Sequence, residues 1–171
     1  YNLTRLQLNM RKKMWDTLEE DRKQPGCDDL FLLDSTTLLG VRITRVLNSC
    51  GNVLFEDSLK YKSYEDCIGI GGADPSIKYM NGTMSGKDRP VWEIPYSSLV
   101  PKKVGNLLVA GRCFGFDEGL TYDAREVGTC FVTGQAAGNA AALAVQSRSS
   151  VRDIDVKKLQ KMLAGQGVKL P

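Results

Sequence analysis

The sequence predicts an α/β fold, and three observations carry that reading. Residues 106–110, Asn-Leu-Leu-Val-Ala, form a short apolar run of the kind a fully buried strand shows. Gly111-Arg112 ends the run, a loop rich in glycine and acidic residues covers 113–122, and one long helical stretch follows to about Gln146. Residues 40–47 alternate like a second strand, while residues 3–24 and 156–163 carry the spacing of amphipathic helices. A compact α+β domain that stands alone is the alternative arrangement of the same elements.

In the first helix Leu3, Leu6, Met10, Met14 and Leu18 recur at three- and four-residue steps, with Arg11, Lys12, Glu19 and Asp21 elsewhere. Pro25-Gly26 stops it. A helix packed on a core accounts for Met10 and Met14 better than a cofactor role does. Residues 29–39 are ambiguous, an apolar cluster from Leu30 to Leu33 followed by Asp34-Ser35-Thr36-Thr37. In the strand at 40–47, Val41, Ile43, Arg45 and Leu47 share one face, and Arg42, Thr44 and Val46 the other. An arginine on an apolar face must find a carboxylate, a carbonyl cluster or a ligand. Arg45 is therefore either a buried ion pair or a substrate or cofactor contact, whereas solvation explains Arg42. Residues 48–52 form a turn cluster, and Val53-Leu54-Phe55 would return as the second strand of a hairpin. Gly69-Ile70-Gly71-Gly72 is not a phosphate loop, because neither G-x-G-x-x-G nor G-K-[ST] is completed. Residues 81–90 read as an exposed loop.

The long helix is predicted to start at Asp123, which stands with Glu126 in the D-x-x-E arrangement of a capping box. Gly128, Gly134, Ala137, Gly138, Ala141 and Ala142 make one side unusually small. Glycine inside a helix costs ~1 kcal/mol against alanine, so this side is expected to approach another element or a ligand closely. A helix N-terminus presents unpaired N–H groups and partial positive charge, and Arg125 in the first turn adds a full charge. An anion or a polarised carbonyl would be favoured there. A plain buried helix, with Arg125 solvated or paired with Glu126, is the other reading. Residues 147–150 break the pattern. Val156, Leu159, Met162 and Leu163 then form a short amphipathic helix with Gly165 as its C-cap.

At 171 residues the chain is one domain, with room for a small appendage. A net charge of +3 without a long Lys/Arg run argues against nucleic acid as a partner. No apolar stretch reaches the ~18 residues of a membrane span, and no secretory h-region follows the N-terminus, so no membrane role is expected. Cys27, Cys50, Cys67, Cys113 and Cys130 form no C-x-x-C pair, and the chain has no histidine. Zinc and c-type haem motifs are thus absent, no metal site is expected, and the thiols read as reduced, in the cytoplasm. The N-x-T sequons at Asn2 and Asn81 are few enough for chance to supply.

N-L-L-V-A-G-R from Asn106, R-x-x-G-T-C from Arg125 and T-G-Q-A-A-G-x-A-A-A-L-A from Thr133 together resemble a known signature. It is the C-terminal signature of the FAD-dependent oxidoreductases of the two-dinucleotide-binding-domain type. The similarity extends to I-P-Y-S-S-L-V-P-K at 94–102, D-I-D-V-K-K-L-Q at 153–160 and L-G-V-R-I-T-R at 39–45. The resemblance implies the C-terminal part of a Rossmann-like FAD-binding domain plus a β-rich substrate-side region. The corresponding division is an N-terminal helix at 1–29, the β-rich region at 30–103, and the closing strand, loop and helices at 104–171.

By position, the resemblance sets Gly111 and Arg112 beside the ribitol and phosphates of FAD, and Gly128, Thr129 and Cys130 near the flavin ring. Arg125 would supply charge, and Arg42 or Arg45 would hold an anionic or polar small-molecule substrate. No catalytic residue is identified. The family carries an Asp and a His near its substrate side, and only Asp74 is available here. The family's phosphate-binding G-x-G-x-x-G has no counterpart in residues 1–30, and the chain begins at Tyr1 rather than Met. The expectation is a C-terminal portion of an oxidoreductase, completed by a glycine-rich N-terminal dinucleotide-binding segment or subunit. The alternatives are a non-catalytic substrate-domain or interaction module, and a nucleotide-dependent enzyme unrelated to flavins.

Overall fold

Local signals set the helices of the computed structural model, which describes residues 2–72 and 91–171. Helix α1 (Leu3–Asp21) opens on Asn2, whose side chain accepts the backbone N–H of Arg5 at 3.2 Å, as an N-cap does. It unwinds through two turns before Pro25, three residues short of the predicted end. The chain divides into two compact units, Tyr1–Arg42 and Ile43–Pro171. In the first, Gln7 Nε2 donates to Thr37 O (2.7 Å) and Arg22 Nε to Leu30 O (2.6 Å), tying the extended segment after α1 back to the helix. No residue of α1 is buried, so its apolar stripe meets no core within this unit.

The second unit holds helix α2 (Phe55–Leu59), strands β1 (Cys67–Gly71) and β2 (Trp92–Pro95), helix α3 (Val127–Ser147) and helix α4 (Val156–Gly165). β1 and β2 pair antiparallel, Ile70 opposite Glu93 and Gly71 opposite Trp92, with a register irregularity between Cys67 and Gly69. Gly71 is required at its position, since a Cβ there would lie 2.6 Å from the Trp92 ring. Ile68, Ile94, Leu99, Phe114, Leu120, Leu159 and Leu163 fill the core between this hairpin and α3 and α4. The Trp92 and Phe114 rings stack within it at 6.4 Å. Helix α4 starts on Asp155, whose side chain accepts the N–H of Lys158 at 3.1 Å, and it buries Leu159 and Leu163 as its spacing predicts. Gly165 is its last helical residue, and Gln166 is the C-cap.

The mixed α and β content agrees with the predicted class, but the strands differ. Among the described residues the sheet is the β1–β2 hairpin alone, without a parallel Rossmann-like sheet and without the β-rich region expected at 30–103. Residues 40–47 form no ladder and bend at Thr44, and both Arg42 and Arg45 are exposed, so Arg45 needs no buried partner. Phe55 begins α2, capped by Asp117 Oδ2 on its N–H (2.8 Å), and Val53 makes only an isolated bridge to Phe116. The hairpin predicted at 40–55 does not form. The apolar run 106–110 is also not a strand: Val109 donates one bond to Leu99 O (2.9 Å), and Leu107 is exposed. An extended segment becomes a strand only when a neighbour completes its ladder, and neither run has one among the described residues. Asp74, Asn81 and the loop expected at 81–90 lie outside the described residues.

Two expectations for α3 are corrected. Its N-cap is Glu126, with no side-chain cap bond, while Asp123 is a buried residue of the preceding turn. The cause is a tight run of turns: Ala124 N–H bonds Leu120 O and Glu126 N–H bonds Asp123 O, delaying the helix by three residues. Among the described residues the close approach of another element to the small side is likewise not made at its glycines, because a Cβ at Gly128, Gly134 or Gly138 would meet no atom within 4 Å.

Candidate functional site

Residues 111–113 and the start of α3 meet at one corner of the second unit. Gly111 takes φ +72°, in the left-handed region that favours glycine, and opens a 3-10 turn over Gly111–Cys113. Its N–H donates to Thr133 Oγ1 at 3.0 Å. Thr133 is fully buried, and its hydroxyl donates in turn to Thr129 O at 2.9 Å, with Cys130 O at 3.1 Å. The Cys130 sulfur lies by the backbone N–H of Arg112, and its thiol donates to Arg125 O at 3.6 Å. Gly111, Arg112, Thr129 and Cys130, separated by about a dozen residues of loop, are thereby gathered, with Gly128 alongside on the helix.

Two guanidinium groups, Arg112 and Arg125, and the Glu126 carboxylate border this corner. The first N–H groups of α3 have no side-chain cap. Arg112 projects from an exposed position, and Arg125, two residues before the helix rather than in its first turn, lies 5.4 Å over the Tyr122 ring. Burial raises the Cys130 thiol above its ordinary pKa, partly offset by the Arg112 N–H and charge. It therefore adds no negative charge at neutral pH. Thr129 Oγ1, in a residue 3% exposed, is buried without a hydrogen-bond partner among the described residues. A buried orphan hydroxyl costs about 1–3 kcal/mol.

Arg45 shares this unit and lies two residues before Leu47, whose N–H donates to Cys113 O at 2.9 Å. Arg42 belongs to the first unit. That unit also holds a cavity of about 380 Å³ lined by Met10, Met14, Leu38, Leu39 and Gly40, an apolar space of different character. Thr133 escaped the sequence reading. Its signal is Thr129-x-x-x-Thr133, a spacing that lets a helical threonine bond the carbonyl one turn back.

Among the described residues no group of three or more His, Cys, Asp or Glu side chains gathers as a metal site would, and no helix is long and apolar enough to cross a membrane. The sequence model of the family described as FAD dependent oxidoreductase matches residues 1–163, across both units. No curated protein and no solved structure matches the chain.

Proposed function

This chain belongs to the FAD dependent oxidoreductase family, whose cofactor is FAD, and from that premise we propose that it closes over the isoalloxazine and ribitol end of the flavin. The orphaned Thr129 hydroxyl at the uncapped start of α3 carries this reading. The residues fit the group: a Cβ at Gly111 or Gly128 would meet nothing within 4 Å, which leaves room for a flat ligand, and the uncapped N–H groups of α3, with Arg112 and Arg125 next to Gly111 and the helix in sequence, supply donors. Gly111 N–H is spent on Thr133, so the turn offers its open α-carbon and the Arg112 side chain rather than that amide.

Bound FAD supplies the two-electron redox chemistry. The chain's part is electrostatic. The N-terminus of α3 and Arg125 stabilise negative charge on the pyrimidine side, favouring the reduced cofactor. Thr129 and Cys130 border the ring, Cys130 as a protonated thiol. Arg112 lies towards the ribitol and phosphates. Arg42 or Arg45 would hold an anionic or polar small-molecule substrate, each from its own unit.

The pyrophosphate needs a glycine-rich turn at a helix N-terminus, and these 171 residues contain no G-x-G-x-x-G. The exposed apolar side of α3 supports the same conclusion, since a large uncovered apolar surface marks an interface. The site is therefore completed by a glycine-rich dinucleotide-binding segment, covalently continuous or on another subunit. Calorimetric titration of FAD into the chain alone and into the chain coexpressed with such a segment tests this. Binding is expected only in the second case, and micromolar or tighter binding by the chain alone would sink it.

A further inference from the structure

Two successive amides of the turn at Gly111–Cys113 are held by side chains one helical turn apart on α3: Gly111 N–H by Thr133, and Arg112 N–H by Cys130. The two contacts differ in strength. A thiol is a weak acceptor, whereas the Thr133 hydroxyl lies 3.0 Å from the Gly111 nitrogen, is completely buried, and sends its own proton to the carbonyl of Thr129. A helical threonine commonly spends its hydroxyl on the carbonyl four residues back. Here that bond also orients the lone pairs towards Gly111.

We propose that Thr133 is a positioning residue of the flavin site: its hydroxyl straps the Gly111 turn to the first turn of α3 and so sets the gap between Arg112 and Thr129. This rests on the assignment of that corner to FAD. Thr133 itself touches no part of the cofactor. Its effect passes through Gly111, whose left-handed backbone orients Arg112, and through Thr129, whose carbonyl it holds. Valine has the shape of threonine and neither accepts nor donates, so Thr133→Val releases the strap while keeping the packing. Serine keeps the hydroxyl.

The test uses the flavin-loaded enzyme containing this chain and the same enzyme stripped of flavin. Thr133→Val is expected to raise the Kd for FAD about three- to tenfold, the loss of one net hydrogen bond, and to shift the flavin absorption band. Thr133→Ser is expected to restore the parental affinity and spectrum. In the stripped protein the Gly111 amide is expected to be protected from hydrogen exchange in the parent and in Thr133→Ser, and unprotected in Thr133→Val. Parental affinity and spectrum in the valine variant would overturn the proposal, as would a serine variant as impaired as valine. If the valine variant does not fold, the serine variant decides: loss of Gly111 protection there overturns the strap. The exchange readout needs no flavin. A strap seen by exchange, together with Arg125→Ala and Thr129→Val that leave flavin binding untouched, would refute the assignment of the corner instead.

Discussion

Thr129, Thr133, Ala136, Ala140 and Leu143 line one side of α3, and Val127, Phe131, Gly134, Gly138 and Val145 line the other. The first side is buried against β1, α4 and the turns that follow β2. The second is open, with Phe131 73% and Val145 79% exposed. Both sides are uncharged and mix small residues with larger apolar ones. A helix that is hydrophobic all round belongs in an interior, and the packing within this unit accounts for half of this one. Smallness therefore marks what a surface can approach, while the neighbours present decide what it does approach. On the packed side the alanines bring the β1–β2 hairpin within reach of the backbone, and on the open side the glycines stand ready for a partner.

The largest expected effect lies on the packed side. Leu143→Ala should destabilise the chain by about 2–5 kcal/mol through loss of burial and a residual cavity, read as a lower urea midpoint. Ala140→Leu should cost about 1–3 kcal/mol by overpacking the same contact, and a parental melt would mean that the two sides are not distinct. Across the helix the sign reverses. Gly134→Leu and Gly138→Leu should leave the isolated chain as stable as the parent or about 0.5–1 kcal/mol more so, because helix propensity improves where nothing is struck. In the completed flavoenzyme the same variants should fail to retain flavin; a fully loaded, parental enzyme would show that no partner covers this side.

Arg125→Ala, two residues before α3, should weaken flavin affinity or lower the flavin reduction potential. Arg125 is half-buried over the Tyr122 ring, and such a contact is worth about 1 kcal/mol to folding, so the melting temperature should fall by only a few degrees. An unchanged affinity and potential would remove Arg125 from the site. The smallest effect is chemical. The thiolate is the reactive form of cysteine, and burial pushes Cys67 on β1 up to about 11 and raises Cys130 as well. Alkylation followed by mass spectrometry should modify exposed Cys50 and Cys113 first, half-buried Cys27 and Cys130 next and buried Cys67 last. Cys67 reacting as fast as Cys113 would show that β1 separates readily from the packed side of α3.

What the amino-acid order determined by itself is local. The apolar spacing of 3–18 and 156–163, the length of the run 127–147 and the stop after it specify α1, α3 and α4, because a helix closes its hydrogen bonds within its own segment. The signature residues also identify Gly111, Arg112, Thr129 and Cys130 as one group before any contact is seen, through likeness to a family rather than through spacing. What required tertiary structure is everything that depends on a neighbour. The runs 40–47 and 106–110 have strand composition and no ladder, because a strand borrows its hydrogen bonds from another segment. Asp123 has the capping pattern, yet the turns at 120–126 take its place and bury it. Thr133 looks like any helical threonine until the Gly111 amide is found 3.0 Å away. Neither side of α3 carries a charge that would mark it as the outer one, and the packing of β1 and α4 chose between them, since burial is a property of what lies opposite and not of the residue that is covered.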